Sequence, residues 1–271
     1  MFINVELEVN HKLLRGDVRL PEGTGPFPVV CFYHGFCVDR IGQMRLHELF
    51  ARKCAVNGSE MCIRDRCAVN GIACVKFDFY GCGESDGDFS EMRYMDEVEQ
   101  ATAIYLWASE QPWCDRDNMF PVGHSMGGAI VSNIIPQLQP RGAVMWAPGN
   151  VVYYDISSRV HAVPGHYEEF YDIGGLMMSS EFLSQVRKTD IVRQAEGYGK
   201  EVLLIHGELD EKVPVYAVGP YLDLYGQKAR LEIIKGANHQ FTSVEWKNKV
   251  YELSIEYIKE KTGSIEKYQT Y

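Results

Sequence analysis

The chain has 271 residues, of which 46% are hydrophobic, enough for one large α/β domain with a sizeable core. Lys and Arg number 27 against 37 Asp and Glu, and the resulting net charge of −10 is spread along the chain. This balance argues against nucleic acid and anionic membrane surfaces as partners.

The N-terminal segment alternates apolar and polar residues, turns near Asn10, and resumes the alternation from Leu14 to Leu20. This pattern predicts an antiparallel hairpin. The segment lacks the basic start and continuous apolar run of a signal peptide, and no stretch approaches transmembrane length. We therefore expect a cytoplasmic protein.

Six short apolar runs follow, and each ends at glycine, proline or a polar cluster: FPVVCFYHGF, IACVKFDFYG, NMFPVGHS, RGAVMWAP, EVLLIHGE and RLEIIKG. Such runs are typical of parallel strands covered on both faces. Helical patterns lie between them over residues 44–56, 92–110, 126–138, 215–225 and 243–261. The alternation predicts an α/β fold with a mostly parallel, doubly wound sheet, in one domain over residues 1–271.

Residues 149–199 interrupt this alternation after the sixth predicted strand. The segment is rich in tyrosine and phenylalanine and has only short helical patterns. Ligands bind outside the carboxyl ends of the strands in such sheets, so we interpret the segment as a lid or cap that walls the substrate pocket. A surface excursion without a role in binding is the alternative.

The motif GHSMG, residues 123–127, lies between a predicted strand and a predicted helix. Glycines two residues to each side of Ser125 suit a sharp turn that presents the hydroxyl at the helix N-terminus. A serine hydroxyl needs a histidine base that is itself oriented by a carboxylate. Asp210 in HGELDEKVP and His239 in GANHQF each follow a later predicted strand.

Other residues compete for these roles. Glu208 and Glu211 flank Asp210, but the first is too close to the strand end and the second points further round the turn. His34, His124 and His206 also lie at strand ends beside glycines, where loop packing and supporting hydrogen bonds suffice as an explanation. Surface or lid positions suffice for the remaining histidines, which are His11, His47, His161 and His166.

Acyl transfer also needs two backbone donors for the oxyanion. Met126, directly after the serine, supplies one N–H group, and Phe36 in the HGF turn supplies the other. The Phe36 side chain would then line the acyl pocket, although a plain core position is the alternative. The eight cysteines contain no CxxC pair and indicate reduced thiols, and no Cys/His spacing predicts a metal site.

Five segments taken in order carry a family resemblance: HGFCVDR, KFDFYGCGESDGDFSEM, VGHSMGGA, LIHGELDEKVP and GANHQF. They resemble the serine α/β-hydrolases of the feruloyl or cinnamoyl esterase type, relatives of dienelactone hydrolase-like proteins. The resemblance implies an α/β-hydrolase fold and ester hydrolysis through an acyl-enzyme. Ser125 would be the nucleophile, His239 the base and then the acid, and Asp210 the group that orients the histidine.

The same resemblance implies a small-molecule ester substrate, no cofactor, and a possible homodimer. It places a lid that contacts the acyl group at residues 149–199, where the candidate substrate-binding residues are Tyr153, Tyr154, Asp155, Tyr167 and Tyr171. A serine peptidase, a thioesterase or an acyltransferase would share the triad. A non-catalytic binding protein with a hydrolase fold is the alternative of a different class.

The pentapeptide CAVNG occurs twice, at residues 54–58 and 67–71, separated by SEMCIRDR. One copy suffices for a helix end, an Asn-Gly cap and the following strand. Residues 59–66 also resemble a translated sequencing adapter. We therefore hypothesise that residues 54–66 are an addition to a complete hydrolase and have no active-site role, with a genuine short duplication as the alternative.

Overall fold

A computed structural model of the chain describes residues 1–56, 70–166 and 169–263. The N-terminal hairpin pairs β1 (Phe2–Val9) with β2 (Lys12–Arg19). Asn10 and His11 form its two-residue turn with φ values of 51° and 62°. Two positive φ values in succession match the right-handed twist of paired strands, and asparagine and histidine tolerate them better than most residues. The predicted hairpin is confirmed.

The main sheet has eight strands. After the hairpin come β3 (Phe27–Tyr33), β4 (Ala73–Phe77), β5 (Cys114–His124) and β6 (Ala143–Trp146). A separate small sheet contains β7 (His161–Ala162), β8 (Phe170–Ile173) and β9 (Leu176–Ser179), and the main sheet ends with β10 (Val202–Gly207) and β11 (Ala229–Ile234). The main order is β1-β2-β4-β3-β5-β6-β10-β11, and all pairings from β4 to β11 are parallel. The predicted α/β fold is confirmed.

Helices cover both faces of this sheet. They are α1 (Leu46–Ala55), α2 (Tyr94–Ser109), α3 (Met126–Leu138), α4 (Val152–Ser157), α5 (Ser180–Lys188), α6 (Gly219–Tyr225) and α7 (Val244–Thr262). Side chains of α1 and α7 form one buried cluster with the sheet, and those of α2 and α3 form the other. Among the helices in the described ranges, none is long and apolar enough to cross a bilayer.

The segment 149–199 follows β6 and leads to β10. It contains α4, the antiparallel three-stranded sheet β7-β8-β9, and α5. Ser179 caps α5 by accepting a hydrogen bond from the Phe182 N–H, and the Phe182 side chain is buried in the core. Tyr167 lies outside the described residues.

The two sides of the repeated pentapeptide meet in space. Residues 57–69 lie outside the described ranges, but both flanks are in place. The Asn70 N–H donates to the Val56 carbonyl over 3.1 Å, and the Ile72 N–H donates to the Cys54 carbonyl over 3.1 Å. Val56 and Asn70 are therefore hydrogen-bonded neighbours at the junction of α1 and β4.

Candidate active site

Ser125 lies in a strained turn between β5 and α3. Its φ of 57° and ψ of −122° are unfavourable for a side chain with a Cβ. A Cβ on Gly123 would lie 2.1 Å from the Gly127 carbonyl oxygen, and one on Gly127 would lie 2.2 Å from the Tyr33 carbonyl oxygen. Both glycines are therefore needed because backbone approaches within contact distance on each side of the serine.

Three side chains from separate loops form one hydrogen-bonded row. Ser125 Oγ lies 2.9 Å from His239 Nε2, and His239 Nδ1 lies 2.7 Å from Asp210 Oδ2. Asp210 follows β10 and His239 follows β11, so parallel strands bring their loops to one edge of the sheet. Ser125 is half-buried, whereas Asp210 and His239 are buried. This arrangement can pass a proton from the hydroxyl to the imidazole.

The Asp210 carboxylate is held ionised and in place. Oδ1 accepts hydrogen bonds from the backbone N–H groups of Lys212 and Val213, both at 2.9 Å. Burial alone would raise the pKa of Asp210, but hydrogen bonds from His206 and His239 outweigh it and hold the pKa well below the usual range. The charged carboxylate accepts the hydrogen bond from His239 Nδ1.

The loop after β3 lies against the turn that contains Ser125. A Cβ on Gly35 would lie 3.1 Å from Ser125 Cβ, so this loop and the serine turn are in direct contact. Phe36 follows in that loop, and Met126 begins α3, where first-turn N–H groups have no intrahelical partner. Hydrogen bonds between described residues use neither the Phe36 nor the Met126 N–H group. Both N–H groups therefore remain candidates for an oxyanion site beside the serine.

Asp78 anchors this loop to the one after β4. Its carboxylate accepts hydrogen bonds from the Arg40 N–H at 2.7 Å and the Glu84 N–H at 2.9 Å, and it forms an ion pair with the Arg40 guanidinium. The Asp78 side chain is fully buried. No role was expected for Asp78 from the sequence, although an aspartate directly after a buried strand, in FDFYGCGES, is the signal that points to it.

His34 anchors the same loop from within. Its Nε2 accepts a hydrogen bond from the Phe79 N–H at 3.0 Å, and its Nδ1 donates to the Gly35 carbonyl at 2.9 Å. Burial lowers the pKa of His34, which keeps the ring neutral as this pattern requires. The predicted supporting role of His34 agrees with these contacts.

One expectation about the histidines is wrong. His47 was expected at the surface or in the lid, but its side chain is buried, with its ring centroid 4.5 Å from that of Phe32. His47 lies on the face of α1 that packs against the sheet. His11, His161 and His166 are exposed, as expected.

An aromatic cluster joins the loop after β3 to the segment 149–199. The Phe36 ring lies 5.3 Å from the Phe182 ring in a stacked arrangement and 5.5 Å from the Phe89 ring. Phe36 is half-buried, whereas Phe89 and Phe182 are buried. The cluster places an apolar wall directly beside a backbone donor of the candidate oxyanion site.

The predicted lid residues take different positions. Tyr153 and Tyr171 are half-buried, whereas Tyr154 is 73% exposed. Asp155 forms an ion pair with Arg159 one helical turn away. Among the described residues, none of the four hydrogen-bonds to Ser125 or His239. Within the same ranges no group of three or more His, Cys, Asp or Glu residues could hold a metal ion.

Part of the chain is similar to a known family model and to two curated proteins. Residues 61–167 match the family model described as serine aminopeptidase, S33. Two Escherichia coli proteins, each described as an uncharacterized 31.7 kDa protein in the traX-finO intergenic region, are 29% identical over 133 and 125 residues. The matches cover 48% and 45% of this chain, but only 41% and 38% of those relatives. The chain thus spans about two fifths of the curated relatives it matches.

Solved structures are similar over nearly the whole chain. Est1E from Butyrivibrio proteoclasticus with bound ferulic acid has a TM-score of 0.77 at 18% identity, covering 96% of this chain and 98% of that one. The esterase domain of a Rhodothermus marinus protein scores 0.70 at 17% identity, with 96% and 98% covered. The α/β hydrolase GrgF from Penicillium sp. sh18 scores 0.73 at 16% identity, with 97% and 99% covered. Together with the sheet order, this likeness shows that the chain has the α/β-hydrolase fold.

Proposed function

We propose that the chain is a carboxylic ester hydrolase that works through Ser125, His239 and Asp210 and a covalent acyl-enzyme. The observation that carries this proposal is the continuous row of hydrogen bonds, 2.9 Å from Ser125 Oγ to His239 Nε2 and 2.7 Å from His239 Nδ1 to Asp210 Oδ2. Both distances are within the reach needed for proton transfer between a nucleophile and its base.

The proposed reaction has two halves. Ser125 Oγ attacks the ester carbonyl while its proton passes to His239 Nε2, and Asp210 stabilises the imidazolium. The N–H groups of Phe36 and Met126 stabilise the oxyanion, and His239 then protonates the departing alcohol. Water repeats the sequence on the acyl-enzyme and releases the acid. Serine, imidazole, carboxylate and backbone donors supply each of these steps.

Hydrolysis of p-nitrophenyl acetate and butyrate by the wild type and by Ser125→Ala tests the reaction. We expect release of p-nitrophenol by the wild type and a loss of kcat on the order of 10⁶-fold in the variant, as for other triad serines. Equal melting temperatures would show that the variant is folded. If the wild type released p-nitrophenol no faster than Ser125→Ala, the proposed activity would be ruled out.

We further propose that residues 149–199 form a lid over the site and that the acyl group is aromatic or small. The cluster of Phe36, Phe89 and Phe182 supports an aromatic group, because stacked and tilted rings favour another ring as a neighbour. Est1E, which has a similar fold, has been solved with bound ferulic acid, a hydroxycinnamic acid. Methyl hydroxycinnamates compared with short aliphatic esters test this, and higher kcat/KM for the aliphatic esters would favour the small acyl group.

A serine peptidase is the second candidate function. The family model that matches residues 61–167 is described as a serine aminopeptidase, and amide hydrolysis uses the same triad. The p-nitroanilides of proline, alanine and leucine with free amino groups separate the two functions. We expect kcat/KM for the esters to exceed that for the amides, and the reverse preference would assign the chain to the peptidases. Thioesters and a competing alcohol acceptor test the thioesterase and acyltransferase alternatives in the same assay.

A further inference from the structure

His124, the residue before Ser125, holds the other end of the histidine that Ser125 contacts. His124 ends β5, and successive residues of a strand point to opposite sides. Ser125 Oγ lies 2.9 Å from Nε2 of the His239 ring, and His124 Nε2 lies 2.9 Å from the His239 backbone carbonyl oxygen. Two neighbouring residues thus contact His239 at its imidazole and at its main chain.

This main-chain contact has no substitute nearby. His239 lies in the loop after β11, outside regular secondary structure. Within the described part of the chain, the backbone of His239 makes no other hydrogen bond. The loop is otherwise anchored through its neighbours, where the Phe241 N–H donates to the Asn238 carbonyl and the Leu209 N–H donates to the Ala237 carbonyl. The His124 bond is therefore the direct restraint on the His239 main chain.

The protonation state of His124 follows from its partners. A carbonyl oxygen only accepts, so Nε2 of His124 must carry a hydrogen. Burial lowers the pKa of His124 to about 3, so the ring is neutral and Nδ1 is an acceptor. Neutrality also matters because the His124 and His239 ring centroids are 5.1 Å apart, and a second positive charge there would oppose the imidazolium.

His47 completes the chain of contacts from the opposite side. Its Nε2 lies 3.4 Å from His124 Nδ1, a long hydrogen bond in which His47 must be the donor. His47 has little freedom to move, because a Cβ on Gly42 would lie 2.6 Å from its Nδ1 and its ring packs on Phe32. The donor from His47 favours the tautomer of His124 that donates to His239.

We propose that His124 is a positioning residue for the catalytic base, which it holds within reach of Ser125 through the His239 carbonyl, and that His47 sets the required tautomer. The proposal rests on the ester hydrolysis proposed above. His124 touches neither substrate nor the reacting atoms, and it acts through the placement of His239. Misplacement of a catalytic group by about 1 Å can cost on the order of 100-fold in rate.

His124→Leu and His124→Gln separate this role from packing. Leucine fills the space without a donor, whereas the glutamine amide places an N–H group close to the position of Nε2. With p-nitrophenyl butyrate we expect kcat of His124→Leu to fall roughly 10-fold to 100-fold with KM changed by less than about threefold. We expect His124→Gln to recover most of the lost kcat.

Ser254→Ala is the matched control. Ser254 Oγ accepts a 2.9 Å hydrogen bond from Trp146 Nε1, and the Trp146 ring lies 6.3 Å from the His124 ring. Among the described residues, Ser254 makes no hydrogen bond to His239. Ser254→Ala should lower the melting temperature, because the buried Trp146 donor is left without a partner, and leave kcat unchanged, because the hydrogen bonds of His239 are kept. A kcat loss in Ser254→Ala as large as that in His124→Leu would overturn the positioning role, since any core defect would then suffice.

Two further results would overturn the proposal. One is a folded His124→Leu with wild-type kcat, and the other is a folded His124→Gln as impaired as His124→Leu. If His124→Leu does not fold, His47→Phe is the deciding variant, because it removes the donor that sets the His124 tautomer. We expect kcat of His47→Phe to be lower than that of the wild type. A folded His47→Phe with wild-type kcat would overturn the proposal. A wild type without Ser125-dependent hydrolysis would instead overturn the proposed function, so the two failures differ.

Discussion

His239 Nδ1 lies 2.7 Å from Asp210 Oδ2, and both side chains are buried. The carboxylate thereby favours the tautomer of the ring whose Nε2 can accept a proton from Ser125. Asp210→Asn keeps the shape but replaces a charge by an amide that favours the other tautomer. We expect kcat toward p-nitrophenyl butyrate to fall on the order of 10⁴-fold with little change in KM.

Glu211→Gln is the control for this variant because Glu211 is exposed in the same turn. Its kcat should match the wild type. A loss of activity in Glu211→Gln with full activity in Asp210→Asn would show that Glu211, and not Asp210, orients the histidine.

Gly127→Ala should disrupt the serine turn. The added Cβ would lie 2.2 Å from the Tyr33 carbonyl oxygen and 2.6 Å from that of His34. Both contacts are with backbone atoms, which cannot move away as a flexible side chain could. We expect a loss of about 1–3 kcal/mol in the free energy of unfolding, measured by urea titration, together with a large loss of kcat. Gly219→Ala is the control, since a Cβ there meets nothing within 4 Å. Equal stability of the two variants would contradict the close approach.

Glu97→Gln should stabilise the protein more as the pH rises. Both carboxylate oxygens of Glu97 are buried on α2 without a hydrogen-bond partner among the described residues, and burial raises the pKa well above its usual value. Above the unfolded pKa, near 4.3, the folded state keeps a proton that the unfolded state has lost, so the free energy of unfolding falls as pH rises. Glutamine carries no charge and removes this loss.

Unfolding by urea at pH 4.5 and pH 8 measures the effect. The effect of Glu97→Gln is the free energy of unfolding of the variant minus that of the wild type at the same pH. We expect this difference to be at least about 1 kcal/mol more favourable at pH 8 than at pH 4.5, which corresponds to a shift of about one pKa unit. Glu99→Gln, exposed on the same helix, should show no such difference between the two pH values. An equal effect of Glu97→Gln at both pH values would refute the buried, protonated state.

Deleting residues 57–69 should leave fold and activity intact. The deletion gives the same sequence as removal of residues 54–66, because the repeated CAVNG makes the two excisions equivalent. It joins Val56 to Asn70, whose backbone groups already lie 3.1 Å apart, so the junction needs only a small adjustment. Shortening the connection by this amount stabilises by roughly 1 kcal/mol through loop-closure entropy. Thermal melts and the esterase assay test this, and a folded but inactive deletion would contradict the hypothesis of an added segment.

Local pattern alone predicted much of the secondary structure. The predicted helix over residues 126–138 has the same bounds as α3, since the glycines before it and the apolar period within it are both local signals. At residues 44–56 and 215–225 the predicted helices begin instead with 3₁₀ turns at Gln43–Arg45 and Val215–Val218. A helical period in the sequence does not distinguish a 3₁₀ turn from the first turn of an α-helix.

The burial of His47 could not be predicted from the sequence, for a different reason. The helical period over α1 indicates which residues share a face, but the three-dimensional arrangement decides what that face meets. Here it meets the His124 ring on β5, a strand far along the chain. The same holds for Asp78, whose partners Arg40 and Glu84 come from loops on both sides of it in sequence.

The sequence by itself determined the chemical groups and their order, because a glycine-flanked serine and polar residues after buried runs are local patterns with a chemical meaning. The tertiary structure alone decided which groups touch: Asp210 instead of its glutamate neighbours against His239, and His124 against the His239 carbonyl. A hydrogen bond depends on distances of about 3 Å and on direction, and for residues more than 100 positions apart, as for His124 and His239, only the folded sheet sets these.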